Sequence, residues 1–174
     1  WFTKLSNAIN GPYDPITLPA VSEMTDYEGE MVAVIGQRCK HVPAERAHEV
    51  VFGYAVGNDV SVRDWQKRTS QWTLGKSFDT HAPFGPCLTT ADAVGDPHDL
   101  NLRCWVNGEL RQSSNTSLMM HKVWDQIALL SQAMTLEPGD VISTGTPEGV
   151  AAVVPGDNLH ASVAGLAPLR VQVV

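Results

Sequence analysis

The run Asp26-Tyr27-Glu28-Gly29-Glu30-Met31-Val32-Ala33-Val34-Ile35-Gly36 sets two closely spaced glutamates into an otherwise apolar stretch. Its length and composition predict a strand, on which alternate residues share a face. Glu28 and Glu30 then project with Val32 and Val34, while Gly29, Met31, Ala33 and Ile35 line the other side. Both faces read as buried. Ionised carboxylates that continue an apolar face cost free energy unless a positive charge neutralises them. A hard divalent cation does this directly, because it takes oxygen ligands and tolerates several negative charges around it. The plain alternative is a frayed strand start with both glutamates in water, where most acidic residues lie.

Asp59 is the third carboxylate of interest, since Gly53-Tyr54-Ala55-Val56-Gly57-Asn58-Asp59-Val60-Ser61 reads as a second buried strand. Three carboxylates on one divalent ion leave a net charge of about −1 and, at six-coordination, about three positions for water and substrate. That is the pattern of a catalytic rather than a structural site. Spacing alone does not bring Asp59 to the glutamates. Lys76, in a loop-like stretch from Gly75 to Pro86, is suited to counter an anionic substrate or a developing enolate, or is simply a surface lysine. Gly75-Lys76-Ser77 resembles the end of a phosphate-binding loop, but that loop needs glycine five residues before Gly75, where this chain has Ser70. Ser77, Asp79 and His81 are too close in sequence for a catalytic triad, and no Gly-x-Ser-x-Gly elbow is present. No His-x-x-x-His pair points to zinc. Gly145-Thr146-Pro147-Glu148-Gly149 is a tight turn whose backbone N–H groups and hydroxyl are able to hold a carboxylate, or only a turn.

The elements that must position these residues are mostly short. Pro43 to Val50 reads as a short helix, with Val51 on its apolar side and Gly53 as its stop. The polar run Arg63-Asp64-Trp65-Gln66-Lys67-Arg68 reads as a solvated loop. Asn107-Gly108, between Leu102–Val106 and Glu109–Arg111, is a strong hairpin signal. Met119, Val123, Ile127, Leu130 and Met134 recur at helical spacing after the candidate caps Asn115 to Ser117, which predicts the one long helix and a core-packing stripe. Leu136 to Asp140 then turns the chain into a strand over Val141–Thr144. Many short strands, one long helix and frequent Gly/Pro turns predict an α+β, β-rich roll. The 174 residues fit a single domain with 43% hydrophobic and 18% charged residues. A net charge of −7 argues against nucleic acid or an anionic membrane as partner. No stretch approaches the roughly 20 apolar residues of a membrane span, and Cys39, Cys87 and Cys104 form no Cys-x-x-Cys, so the expected setting is a reducing, cytoplasmic one.

Five motifs in order carry a resemblance over nearly the whole chain: Tyr27-Glu28-Gly29-Glu30; Asn58-Asp59-Val60-Ser61-Val62-Arg63-Asp64-Trp65-Gln66; Gly75-Lys76-Ser77-Phe78-Asp79-Thr80; Val106-Asn107-Gly108-Glu109; and Pro138-Gly139-Asp140 with Thr144-Gly145-Thr146-Pro147-Glu148-Gly149. Together they resemble the fumarylacetoacetate hydrolase family. The resemblance implies that family's mixed β-roll and a Mg²⁺ or Mn²⁺ site, with Ca²⁺ as the further option, at Glu28, Glu30 and Asp59. It also implies Lys76 and Thr80 close to the metal, Gln66 and Thr146 against the substrate, and a homodimer. Family members cleave or rearrange small 2-oxo and 2,4-dioxo acids: acylpyruvate hydrolysis, oxaloacetate decarboxylation, and isomerisation or decarboxylation in aromatic catabolism. The expectation is therefore a metal-dependent acylpyruvate-type hydrolase, with an oxaloacetate-type decarboxylase or isomerase as the alternative.

Two departures from the family pattern accompany it. Members usually carry an upstream lid with a His and Glu pair that activates water, and nothing in this sequence matches it; the expectation is a catalytic domain over residues 1–174 that is incomplete at its N-terminus. Gly165-Leu166-Ala167-Pro168-Leu169 also replaces a more glycine-rich turn. A non-catalytic binding or assembly subunit is the hypothesis of another class, with the intact Glu28, Glu30 and Asp59 against it and the unmatched lid for it.

Overall fold

The computed structural model describes residues 1–174. Eleven strands follow one another: β1 (Ile9–Asn10), β2 (Thr25–Asp26), β3 (Gly29–Ile35), β4 (Val51–Asn58), β5 (Ser61–Val62), β6 (Ala82–Thr90), β7 (Asn101–Val106), β8 (Glu109–Asn115), β9 (Val141–Ser143), β10 (Asn158–Val163) and β11 (Leu169–Gln172). One sheet has the order β1-β6-β4-β3-β9, a second the order β11-β10-β7-β8, and β2 pairs with β5. All pairings are antiparallel except β1 with β6. The result is the expected β-rich α+β architecture.

β3 is buried along its whole length. Its odd-numbered side chains Met31, Ala33 and Ile35 join Leu102, Cys104, Leu159 and Ala161 of the second sheet in the main core. The even-numbered Val32 and Val34 pack with Ala55 and Phe84 in a separate small cluster. Glu28 and Glu30 thus continue a face that is apolar on both sides of the sheet, as the alternation requires. β3 and β4 pair in register from Gly29 with Asn58, which brings the start of one strand beside the end of the other.

The Asn107-Gly108 hairpin forms, with φ of 51° and 82° at its two turn residues. Of the α-helices α1 (Arg63–Gln66), α2 (Thr73–Lys76), α3 (Ala91–Val94) and α4 (Val123–Ala133), only α4 is long, and it starts later than its apolar stripe. Val123 and Ile127 are fully buried, whereas Met134 is half exposed beyond its end. Asn115 caps a 3₁₀ turn over Thr116–Leu118 instead of α4.

Three expectations need correction. Ala44–Val50 is a 3₁₀ helix that runs directly into β4, so Gly53 is no stop; it lies within β4, where the Thr89 backbone comes too close for a Cβ. The run from Arg63 is no solvated loop: Arg63–Gln66 forms a short helix, α1, with Gln66 buried. The stretch from Gly75 does not begin as a loop: Thr73–Lys76 forms α2, in which Gly75 and Lys76 are buried. In the last two cases tertiary contacts of charged heads override local polarity.

Gly75 shows how α2 is seated. A Cβ there would overlap the backbone of Gln66 in α1. Helix propensity alone makes Gly75→Ala stabilising by about 1 kcal/mol. A clash with backbone is not relieved by a rotamer change, and overpacking of this kind costs about 1–3 kcal/mol. Gly75→Ala is therefore expected to be destabilised in urea unfolding, and a more stable variant would contradict this packing of α2 on α1.

Candidate metal centre

Local hydrogen bonds fix the ends of β3 and β4 against each other. The Glu28 N–H donates to Asn58 Oδ1 at 2.8 Å, and the Asp59 N–H donates to the Glu28 carbonyl at 2.9 Å. Buried Gln112 on β8 accepts from the Gly29 N–H at 3.0 Å and donates to Thr146 Oγ1 at 2.8 Å and to the Pro147 carbonyl at 2.9 Å. Thr146 Oγ1 in turn donates to the Gly29 carbonyl at 2.8 Å. The peptide between the two glutamates is thereby held on both sides. Glu28, Glu30 and Asp59 are 7%, 3% and 1% exposed, and one oxygen from each lies within 4.8 Å of the others.

Three cationic side chains meet this cluster. The Lys76 ammonium, on the last residue of α2, donates to Glu28 Oε2 at 2.9 Å and to Asp59 Oδ2 at 2.7 Å and is 2% exposed. Lys4 reaches in from the N-terminal segment to Asp59 Oδ1 at 2.6 Å and to the Val60 carbonyl at 3.0 Å. Arg63, at the start of α1, bridges Asp26 and Glu28 at 2.7 Å each. Ser61 Oγ adds a bond to Glu28 Oε1 at 3.2 Å. The Phe2 ring covers the Lys76 ammonium, with its centroid 4.7 Å away.

Glu30 is the exception. Its only hydrogen bond comes from the Gly145 N–H, at 3.0 Å to Oε2, and no cationic side chain touches it. Burial first, and then the Asp59 charge, push its carboxyl up to about 8. A buried carboxylate beside two others, without a cation of its own, is a position where added positive charge is favourable. The donor set is all hard carboxylate oxygen, which suits Mg²⁺, Mn²⁺ or Ca²⁺ and not a thiolate- or imidazole-seeking ion. The residues thus fit the cation that the resemblance implies. Burial also pulls the Lys4 ammonium below its ordinary range, against the pull of Asp59.

The expected site residues fall into two groups. Lys76 meets the carboxylates directly. Gln66 is buried and accepts from Arg63 Nη1 at 3.0 Å, one step from Glu28. The Thr146 hydroxyl is engaged by Gln112 and Gly29, and the turn's Gly145 N–H holds a carboxylate of the protein itself. Thr80 makes no hydrogen bond to the cluster; its Oγ1 accepts from the Thr17 N–H at 2.9 Å, with φ of 67° at Thr80. Ser77 bonds to the N-terminal segment rather than to His81, and the Asp79 side chain accepts from Asn7, so no triad forms. Sequence reasoning missed Lys4, Arg63 and Gln112. A lone lysine in an irregular segment carries no signal, Arg63 was hidden in a polar run, and Gln112 is one polar residue on a hairpin strand.

The family model described as fumarylacetoacetate (FAA) hydrolase C-terminal matches residues 1–174. A rat protein named oxaloacetate tautomerase Fahd2a, mitochondrial, is 53% identical over 150 residues, which cover 86% of this chain and 48% of that protein. The structure of a 5-carboxymethyl-2-hydroxymuconate delta-isomerase from Mycobacterium smegmatis superposes with a TM-score of 0.96 at 47% identity, covering 99% of this chain and 68% of that one. A maleylpyruvate hydrolase from Sphingobium sp. SYK-6, solved in complex with manganese(II) ion and pyruvate, has a TM-score of 0.93 at 42% identity, covering 99% of this chain and 63% of that one. The chain spans about half the length of the rat relative, 48%. With the fold, the five motifs and the match over residues 1–174 in agreement, the chain belongs to the fumarylacetoacetate hydrolase family.

Proposed function

We propose that this chain is the catalytic portion of a divalent-metal-dependent enzyme acting on a small 2-oxo or 2,4-dioxo acid, with acylpyruvate-type C–C hydrolysis as the leading reaction. The observation that carries this reading is Lys76 shared between Glu28 and Asp59 within a three-carboxylate centre. The manganese and pyruvate of the maleylpyruvate hydrolase structure support the same assignment of metal and product class. Glu28, Glu30 and Asp59 would hold Mg²⁺ or Mn²⁺, with Ca²⁺ as the third option. Bound there, such an ion supplies Lewis-acid polarisation of the 2-oxo group and charge neutralisation.

The chain's own groups then have separate tasks. An ammonium has three donors, and two of those on Lys76 are used by Glu28 and Asp59. The third remains for the oxygen on which negative charge grows as the C–C bond breaks and a pyruvate enolate departs. Arg63 pairs with Glu28 and orients it, and Gln66, held by Arg63, would contact the substrate. Phe2 shields the Lys76 charge from water, which strengthens its interaction with a developing anion. A homodimer remains part of the proposal.

A second reading, keto–enol interconversion or decarboxylation of oxaloacetate, is favoured by the name of the rat relative. It uses the same stabilised enolate. That relative's mitochondrial name does not fit a strictly cytoplasmic expectation, and no helix here is long and apolar enough to cross a membrane.

Full-length protein with Mg²⁺ or Mn²⁺, assayed against acetylpyruvate, fumarylpyruvate and oxaloacetate, separates the readings. Metal-dependent release of pyruvate from an acylpyruvate is the expected outcome; turnover of oxaloacetate alone selects the second reading, and no turnover of any would favour a non-catalytic role. In the same assay Lys76→Ala is expected to lower kcat by about 100- to 1000-fold, because the charge it meets appears mainly in the transition state. Lys76→Arg should not restore it, since a planar guanidinium presents its charge differently. A raised KM with unchanged kcat would make Lys76 a substrate anchor instead.

A further inference from the structure

Lys4 occupies a position that the proposed reaction does not use. Its side chain is 14% exposed and contacts the centre through one atom only, Asp59 Oδ1. It is held at both ends. Its ammonium also donates to the Val60 carbonyl, and the segment that carries it is tied down by the Leu5 N–H on Ser77 Oγ at 3.1 Å and by Asn7 Nδ2 on the Ser77 carbonyl at 2.9 Å and Asp79 Oδ1 at 2.7 Å. Lys4 therefore does not follow Asp59 wherever it turns; it fixes where Asp59 points.

The two oxygens of Asp59 are divided between two lysines. Oδ2 shares Lys76 with Glu28 and so lies on the side where the carboxylates converge. Oδ1 is engaged separately, by Lys4. A carboxylate gripped in this manner offers its inner oxygen and withholds the outer one. Divalent ions differ in what they require from such a ligand. Mg²⁺ demands six oxygens near 2.0–2.1 Å and is content with single oxygens from carboxylates, whereas Ca²⁺ takes six to eight at about 2.3–2.6 Å and gains from carboxylates that chelate through both.

We infer that Lys4 is a positioning residue that holds Asp59 as a single-oxygen ligand and so sets the centre to prefer small six-coordinate cations over Ca²⁺. The inference rests on the reading of Glu28, Glu30 and Asp59 as metal ligands. Removing the Lys4 charge frees Asp59 Oδ1 to chelate, which favours the larger ion, while the more negative centre holds both ions more tightly.

The test is a competition in full-length protein loaded with Mn²⁺, in which released Mn²⁺ is followed by its paramagnetic resonance signal as Mg²⁺ or Ca²⁺ is added. In the unmodified protein Mg²⁺ is expected to displace Mn²⁺ at concentrations at least about 10-fold lower than Ca²⁺ does, a difference of about 1.4 kcal/mol. Lys4→Met should shift that ratio toward Ca²⁺ by about 10-fold or more, while Lys4→Arg, which keeps a cation beside Oδ1, should stay within about 3-fold of the original. A merely structural strap would weaken both ions together in Lys4→Met and leave their ratio unchanged, which overturns the inference. So does an unmodified protein that prefers Ca²⁺, a result that needs no variant to fold. Failure of the unmodified protein to take up Mn²⁺ at all would instead remove the metal reading itself.

Discussion

Burial of carboxylates at one end of a sheet is the constraint on which the rest of this structure depends. Glu28, Glu30 and Asp59 sit where two apolar strands meet, and each is less than a tenth exposed. Taking such charges out of water costs several kcal/mol each unless the surroundings compensate. The compensation comes from three separate parts of the chain: the N-terminal segment through Lys4, α1 through Arg63 and α2 through Lys76. None of these belongs to the sheet. α1, α2 and the first residues of the N-terminal segment thus deliver the charge that the buried carboxylates need.

The balance of that charge bears on function. With every group ionised, Asp26, Glu28, Glu30 and Asp59 stand against Lys4, Lys76 and Arg63, one negative charge in excess. The excess would fall on Glu30, the member without a cationic partner, but burial pushes its carboxyl up to about 8, so near neutral pH it is held largely as the neutral acid and the cluster is close to balanced. A divalent ion bound in place of the Glu30 proton would make the sum positive. The centre would then attract a carboxylate-bearing substrate more strongly than it does without the ion.

Much of this was legible in the sequence because alternation on a strand is a strict geometric rule. Glu28 and Glu30 on one face, the buried β3, the Asn107-Gly108 hairpin and the α4 stripe all follow from local spacing. The spatial pairing of Asp59 with the glutamates did not follow from spacing; it depends on the β3–β4 register, which the sequence shows only through the family resemblance. Arg63 and Lys76 were misplaced in loops because a charged side chain reads as solvated until its partner is known, and those partners lie far along the chain. Gln112 is the same problem in a neutral form: its role as the bolt between Gly29 and the Thr146 turn is a contact across 83 residues.

The central claim is that Glu28, Glu30 and Asp59 hold one divalent cation together. It is tested most directly by anomalous diffraction from crystals of the protein grown with Mn²⁺. The account predicts a single strong peak with one or more carboxylate oxygens of all three residues within about 2.0–2.6 Å. A peak that leaves out Asp59, or no peak between these residues at saturating Mn²⁺, would contradict it.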